Sequence, residues 1–477
     1  MAQHLWRRWA GYGGLLTMPS KHYTRLTGLV LVCLIGVSAC GSATTTASSP
    51  KATTSATAGA PPGAPPGAPP GGSGGAGGSS AQITAKGAYV HSTGTTSASA
   101  RIYDASAANT SGVLNTGGSL TLDKAAVSTS GASSSSDQSS FYGLDAGVLA
   151  KAGSIAMNGG GVTTTGDGAN GIFAYGSGTT ITLSGTRISA TGKYAHGIMA
   201  SGGGTIKATN VTASTTNSNG AVIATDRGGG TITVSAGNYS TSGTDSPGIY
   251  STGRISVTGA TVKATGAEAA VIEGSNSVSL LKTALSGAKK WGVMIYQSFS
   301  GDAQGSTGTW TQTGGSLSAA EGPLFHVTNA TAVITLHSVN TSATSGVLLK
   351  AASNQWGTSG ANGGKATLVA IAQKLSGSVI IDKISTATLR LTNGSVWTGA
   401  IDTADTAKSA AVSLDSTSTW TVTATSHLSL LTGVRVSGAT VTNIVGEGHT
   451  VYYNKSANSN LAGKTYTLTG GGTLQPA

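Results

Sequence analysis

The chain has 477 residues, 73 of them glycine and only 9% charged. That composition excludes a helix bundle. Glycine weakens helices, while the abundant Thr, Ser, Val and Ile suit a pleated surface, so an all-β chain is expected. The net charge of +11 says little about partners: Arg7, Arg8, Lys21 and Arg25 precede Cys40, and beyond it 23 bases face 16 acids. Those bases are scattered singly or as Lys289-Lys290. A nucleic-acid footprint is a clustered basic face, so no nucleic-acid partner is expected.

In chain order, residues 1–39 come first. Lys21 and Arg25 precede the apolar run "LTGLVLVCLIGV" at 26–37, which is too short to span a bilayer and suits a signal-peptide core. It ends in Val37-Ser38-Ala39-Cys40, a phrase that resembles the lipobox of bacterial lipoproteins. The resemblance implies cleavage before Cys40, lipid attachment at that residue, and a location outside the cytoplasm, anchored to a membrane or the cell surface. Met18 stands at a normal distance upstream and is a second candidate start. The other cysteine, Cys33, lies in the segment to be removed, so neither a disulfide nor a thiolate metal site is expected beyond Cys40.

Residues 40–80 are Ser, Thr, Ala, Pro and Gly with a single lysine after Cys40, and read as a disordered tether. Its reach when extended is about 130 Å at roughly 3.3 Å per residue.

From 81 to 477 the sequence repeats. Apolar strand starts recur at Leu120, Ile155, Ile181, Ile206, Ile232, Ile255, Val278, Trp310, Val333, Leu368, Leu389 and Val412, mostly 21 to 26 residues apart. Loop-like inserts at 131–140, 298–308 and 353–364 stretch the longer intervals. A unit holds two short strands and a phrase Gly-[Ile/Val]-x-Ala, as in Gly197-Ile198-Met199-Ala200. Three short strands in about 23 residues, with self-similarity at that period, predict a stacked parallel β-helix of roughly a dozen coils. One coil alone does not bury enough to offset its ordering entropy, so the coils must stack, and residues of like size must pile in register. Ile181, Ile206 and Ile232 are expected to form one such pile.

From Leu120 onward the chain resembles the right-handed parallel β-helix proteins of the pectate-lyase-like superfamily. It is most similar to bacterial surface members and adhesin-like autotransporter passengers. "LRLTNGSVWTGAI" at 389–401 and "VSLDSTSTWTVTATSHLSLL" at 412–431 carry that likeness. The resemblance implies a surface role, with enzymes of the same fold as the alternative.

For catalysis the best acidic set is Asp382, Asp402 and Asp405. "VIID" and "GAID" occupy matching places in successive coils, which would set Asp382 and Asp402 about 5 Å apart, the spacing of a retaining glycosidase pair. The competing reading is a charge ladder at a coil edge, which leaves no catalytic residue. A second charged column, Asp167, Lys193, Asn217, Asp245, Glu268 and Lys289, reads as solvated turns with cross-coil pairs, and His196, His326, His337, His427 and His449 lack metal-ligand spacing. No metal and no cofactor are expected. Lys207, Lys263 and Asn340 break the threonine lattice that an ice-binding face requires. A third set, Phe173, Met199, Ile223, Tyr250, Ile272, Met294, Phe325 and Leu348, follows the Ile/Val of each phrase. Neighbours in a strand face opposite ways, so this stripe is either drawn into the core by a bend or exposed as a binding surface. The whole reads as an exported lipoprotein, a monomer serving display, adhesion or scaffolding. Its expected partners are membrane lipid through Cys40 and glycans or cell-surface proteins.

Overall fold

The computed structural model describes residues 82–299, 303 and 305–477. The expected signal segment, Cys40 and the tether lie outside the described residues. What is described is a parallel β-solenoid of about 16 coils, the architecture expected, though longer than a dozen.

The first coil consists of β1 (Lys86–His91), β2 (Thr95–Ser99) and β3 (Ile102–Ala105), one strand on each of three sides. The second coil continues in β4 (Thr110–Asp123), which covers the first two sides, and β5 (Ala126–Thr129) on the third. Register then holds coil after coil. On the first side the inward column runs Tyr89, Val113, Val148, Ile172, Ile198, Ile223, Ile249, Ala270, Val293, Phe325, Leu349 and Val379, and a bridge extends it to Ile401. On the second side Ile181 pairs with Ile206 and Ile206 with Ile232, so the expected pile is present. Each of these isoleucines is fully buried, a gain of about 1.5–3 kcal/mol per side chain.

The coil count exceeds the expected dozen because both ends carry weak signals. The first coil has Thr96 and Ala98 where later coils have Leu120 and Leu122, so no aliphatic refrain marks it. The last coils are short, and close with Tyr466–Thr469 antiparallel to Thr473–Pro476. One strand start also shifts by a residue. Ile334, not Val333, pairs with Trp310 and Leu368, while Val333 points outward. Two adjacent aliphatics make the inward one ambiguous until the neighbouring coils fix it.

Corners depend on close approach. A Cβ at Gly192 would drive into the carbonyl of Gly166, one coil earlier, and a Cβ at Gly166 into that of Gly131. Near the C-terminal end Trp397 stacks on Trp420 at 4.9 Å, and their indole N–H groups donate to Gly377 O and Gly399 O, each at 2.9 Å. These two tryptophans are the ones quoted in the repeated phrases, and they fill the core where coils shorten.

The first insert is not wholly a loop. Its second half begins α1 (Ser136–Tyr142), which runs two residues beyond it. Ser135 Oγ accepts from Gln138 N at 3.2 Å, Asp137 sits in the first turn, and Gly143 ends the helix in the left-handed conformation.

Candidate functional site

The first side of the solenoid carries the site, on its outward face. Strand alternation puts Ile172 and Ala174 into the main core and Phe173 on the opposite surface. Phe173 pairs with Met199, Met199 with Ala224, Ala224 with Tyr250, Tyr250 with Val271 and Val271 with Met294; His326 and Lys350 extend this column. The expected stripe is therefore divided. Phe173, Met199, Tyr250 and Met294 share the outward column; Ile223 and Phe325 belong to the inward Ile172 column; Ile272 faces inward beside Ile295; Leu348 sits at a bulge. All are buried. The outward members need no bend in the strand, because they form a second apolar cluster of their own, with Leu114, Leu144, Leu149, Tyr296 and Trp356.

Two inserts cover this cluster. At one end, Gly143 packs so tightly that a Cβ there would meet Phe173 and Leu149, Tyr142 meets Tyr175 edge-on at 5.4 Å, and Ser201 Oγ donates to Phe141 O at 2.6 Å. The Arg227 guanidinium lies 3.8 Å over the Phe141 ring. At the other end Trp356, from the 353–364 insert, packs against Tyr296 at 5.4 Å and Phe299 at 5.7 Å.

Between them is a buried acid. Glu273 Oε2 accepts from Tyr250 Oη at 2.5 Å and Tyr296 Oη at 2.7 Å, and Ser298 Oγ donates to Oε1. Burial raises both phenols well above their ordinary pKa, and the Glu273 charge raises them further, with Asp226 adding to both. They stay protonated and act as donors. A carboxylate held by three hydroxyls has its charge well solvated by the protein. In the described conformation the group clamps three coils together. Asp226 follows Thr225, the partner of Ala200, and so falls two coils before Glu273 on the same outward face.

Asp382 and Asp402 serve turns. Asp382 accepts from Ser353 N and Oγ, both at 2.7 Å, and from Ile384 N at 3.2 Å. Burial pushes its carboxyl up, but the hydroxyl of Ser385 and the Ser353 and Ile384 donors together hold it below the usual range. Asp402, nearly buried with φ +47°, accepts from Thr406 N at 3.0 Å and Ala407 N at 3.2 Å. Val379 bridges to Ile401, so Asp402 stands beside Ile380 and not beside Asp382. The two acids border different hollows: Asp382 one of about 680 Å³ with Asn354, Gln355, Asn362 and Lys383, and Asp402 one of about 140 Å³ with Asp405 and His427. In the charged column, Lys193 N donates to Asp167 at 2.9 Å, Lys290 pairs with Asp245 at 2.5 Å, and Lys289 with Glu321 at 2.5 Å; Glu268, expected in a solvated turn, is instead fully buried, because its place lies just before the inward Ala270. His196 is buried, its Nδ1 2.9 Å from Asn170 Oδ1.

Glu273, Tyr296 and Asp226 escaped the sequence reading. A partial signal exists: in register they stand where Tyr175 and Ser201 follow the Gly-[Ile/Val]-x-Ala phrase in earlier coils, an outward place by alternation, but their own coils read Val-Ile-Ala-Thr, Ala-Ala-Val-Ile and Gly-Val-Met-Ile there. No protein-family model matches this sequence, and no curated protein matches it.

Proposed function

We propose that this chain is an exported lipoprotein, anchored through acylated Cys40, whose solenoid is held clear of a membrane by the 40–80 tether and serves adhesion, display or scaffolding without turnover. The observation that carries the reading is the open hollow of about 680 Å³ beside the 353–364 insert. Amides, hydroxyls and Lys383 line it, suited to the hydroxyls of a glycan or the polar surface of a protein, while Asp382 is already committed to its turn. The anchored arrangement rests on the lipobox resemblance and the tether composition, and the right-handed, adhesin-like kinship on the C-terminal phrases.

Cys40→Ser should release the protein from membranes. On a glycan array that soluble variant should bind without releasing reducing ends or unsaturated sugar, and Asp402→Asn should bind equally. Reproducible turnover would overturn this reading.

A further inference from the structure

The two ends of the solenoid are built differently. At the C-terminal end, Thr473–Pro476 pairs with Thr450–Tyr453 on one edge and with Tyr466–Thr469 on the other, so the last strands close on each other. At the N-terminal end, β1 and β2 pair only with β4, and β3 only with β5. Among the described residues, the other edge of all three strands is unpaired. Such an edge is a template for a further strand.

The core is open there too. The inward places filled by Val113, Leu122 and Val127 in the second coil are taken by Tyr89, Ala98 and Tyr103 in the first. The two tyrosine rings lie 5.1 Å apart and, with Ala98, Arg101 and Ile102, border a hollow of about 540 Å³. Ile102 is 72% exposed and Val90 52%. Tyrosines with one apolar face and one wet end, set beside a protruding aliphatic, are characteristic of the centre of a protein interface.

We propose that this end is a self-association surface on which a second copy of the chain docks head to head. Three observations select that occupant. Ile83 N donates to Gln138 Oε1 at 2.6 Å, and Ile83 and Ala85 pack with Leu114 and Leu144 on the flank. Residues 82–85 thus approach β1 along the side, beside α1. Residues 41–80 contain no Leu, Ile, Val, Met or aromatic residue, so they offer nothing that fills a tyrosine-lined hollow. Finally, the C-terminal end is closed against a head-to-tail ladder: Thr473–Pro476 joins the strands of two sides, and on the other side Asn458 accepts from Leu431 N at 2.7 Å and donates to Ser429 O at 3.1 Å, capping Leu430–Thr432, which pairs only with Ser409–Leu414. A twofold axis across the end reverses chain direction, so facing first-coil strands run antiparallel and exchange backbone hydrogen bonds, while each Ile102 meets the other copy's hollow. The first coil carries both charge signs, Lys86 and Arg101 with Asp104, so a twofold contact pairs unlike charges. Sequence reading pointed to a monomer; the open end points the other way.

The full chain, extracted from membranes in mild detergent, should sediment as a dimer. Ile102→Glu should weaken association on the order of tenfold or more, since it places a charge in the contact. That side chain is exposed, so circular dichroism and the melting temperature should not change. In membranes, Ile102→Cys should give an oxidised species of twice the mass. Val436→Cys, exposed near the opposite end, should give none beyond what wild type shows. A protein that stays monomeric at the highest attainable concentration overturns the proposal, as does a dimer indifferent to Ile102→Glu. An Ile102→Cys thiol shielded in a monomer would assign the end to the chain's own N-terminal segment instead, and would also overturn it.

Discussion

At the residue scale the clearest consequence of the stacking is a carboxyl buried without hydrogen bonds. Glu268 is fully buried, and neither of its oxygens has a hydrogen-bond partner among the described residues. The charged groups facing it are Lys290, whose Nζ is 3.9 Å away, and Asp245, which holds that same ammonium at 2.5 Å. Burial pushes the Glu268 carboxyl up to about 7; Lys290 opposes this and Asp245 adds to it. Its folded pKa therefore exceeds the unfolded value. Between about pH 4.5 and 7 the native state keeps a proton that the unfolded chain has lost, so Glu268 makes the fold progressively less stable as pH rises through that window. A shift of this size is worth roughly 3 kcal/mol. Glu268→Gln should match wild type near pH 4.5 and melt higher than wild type at pH 8, the gap opening between those limits. Thermal melts of both proteins across that range check it; a constant difference would show that the carboxyl does not titrate there.

At the element scale, register is enforced by corners as much as by columns. Gly166 and Gly192 occupy successive corners, each tight against the carbonyl of the glycine before it. Gly192→Ala must push adjacent coils apart or twist the corner, and the hydrogen bonds of Arg187–Ala190 to its neighbours on either side lie next to it. A cost of about 2 kcal/mol or more is expected, in the range of overpacking a core. Hydrogen exchange should show lost protection at 187–200 with the C-terminal coils unchanged. This scale also explains what could be read beforehand. The period, the inward columns and the Ile181, Ile206 and Ile232 pile were legible because aliphatics recur at one place in every coil. The outward stripe slipped at Ile223 because Val222 stands where Gly197 and Gly248 stand in neighbouring coils, so the local phrase matches one residue out of step. Asp382 and Asp402 look equivalent in the sequence because both end a short apolar run, but the bridge from Val379 to Ile401 sets a coil of 22 residues (401 − 379) while the acids are only 20 apart (402 − 382), so they miss each other by two places. Glu273 is hard to read for another reason. A single acid after an apolar run has no meaning until Tyr250 and Tyr296, one coil to either side, are brought to it.

For the whole molecule, stability is a sum over coils and contacts between neighbours, so a local loss need not be shared. Two buried histidines test this. His196 is bonded to Asn170, and His326 stacks on Trp291 at 4.6 Å beside Lys350. Burial pushes each imidazole down to about 4, and the Lys350 charge adds to the effect at His326. Their folded pKa lies below the unfolded value, so each contributes stability that is complete above about pH 6.5 and is lost as pH falls toward 4. The loss at each is roughly 3 kcal/mol and opposite in sign to that of Glu268. The two histidines sit in coils separated by the Ile223, Ile249, Ala270 and Val293 rungs of the first side; the buried carboxyl there, Glu268 in the Ala270 rung, gains its proton on acidification and does not oppose folding. Acidification should therefore open the solenoid at two places and leave the stretch between them closed. Hydrogen exchange at pH 4 against pH 7 should show protection falling first near 190–200 and 320–330, ahead of 230–260. His196→Asn should restore the first patch without altering the second. Uniform loss along the chain would mean that the coils unfold as one cooperative unit, and the additive picture of this fold would then fail.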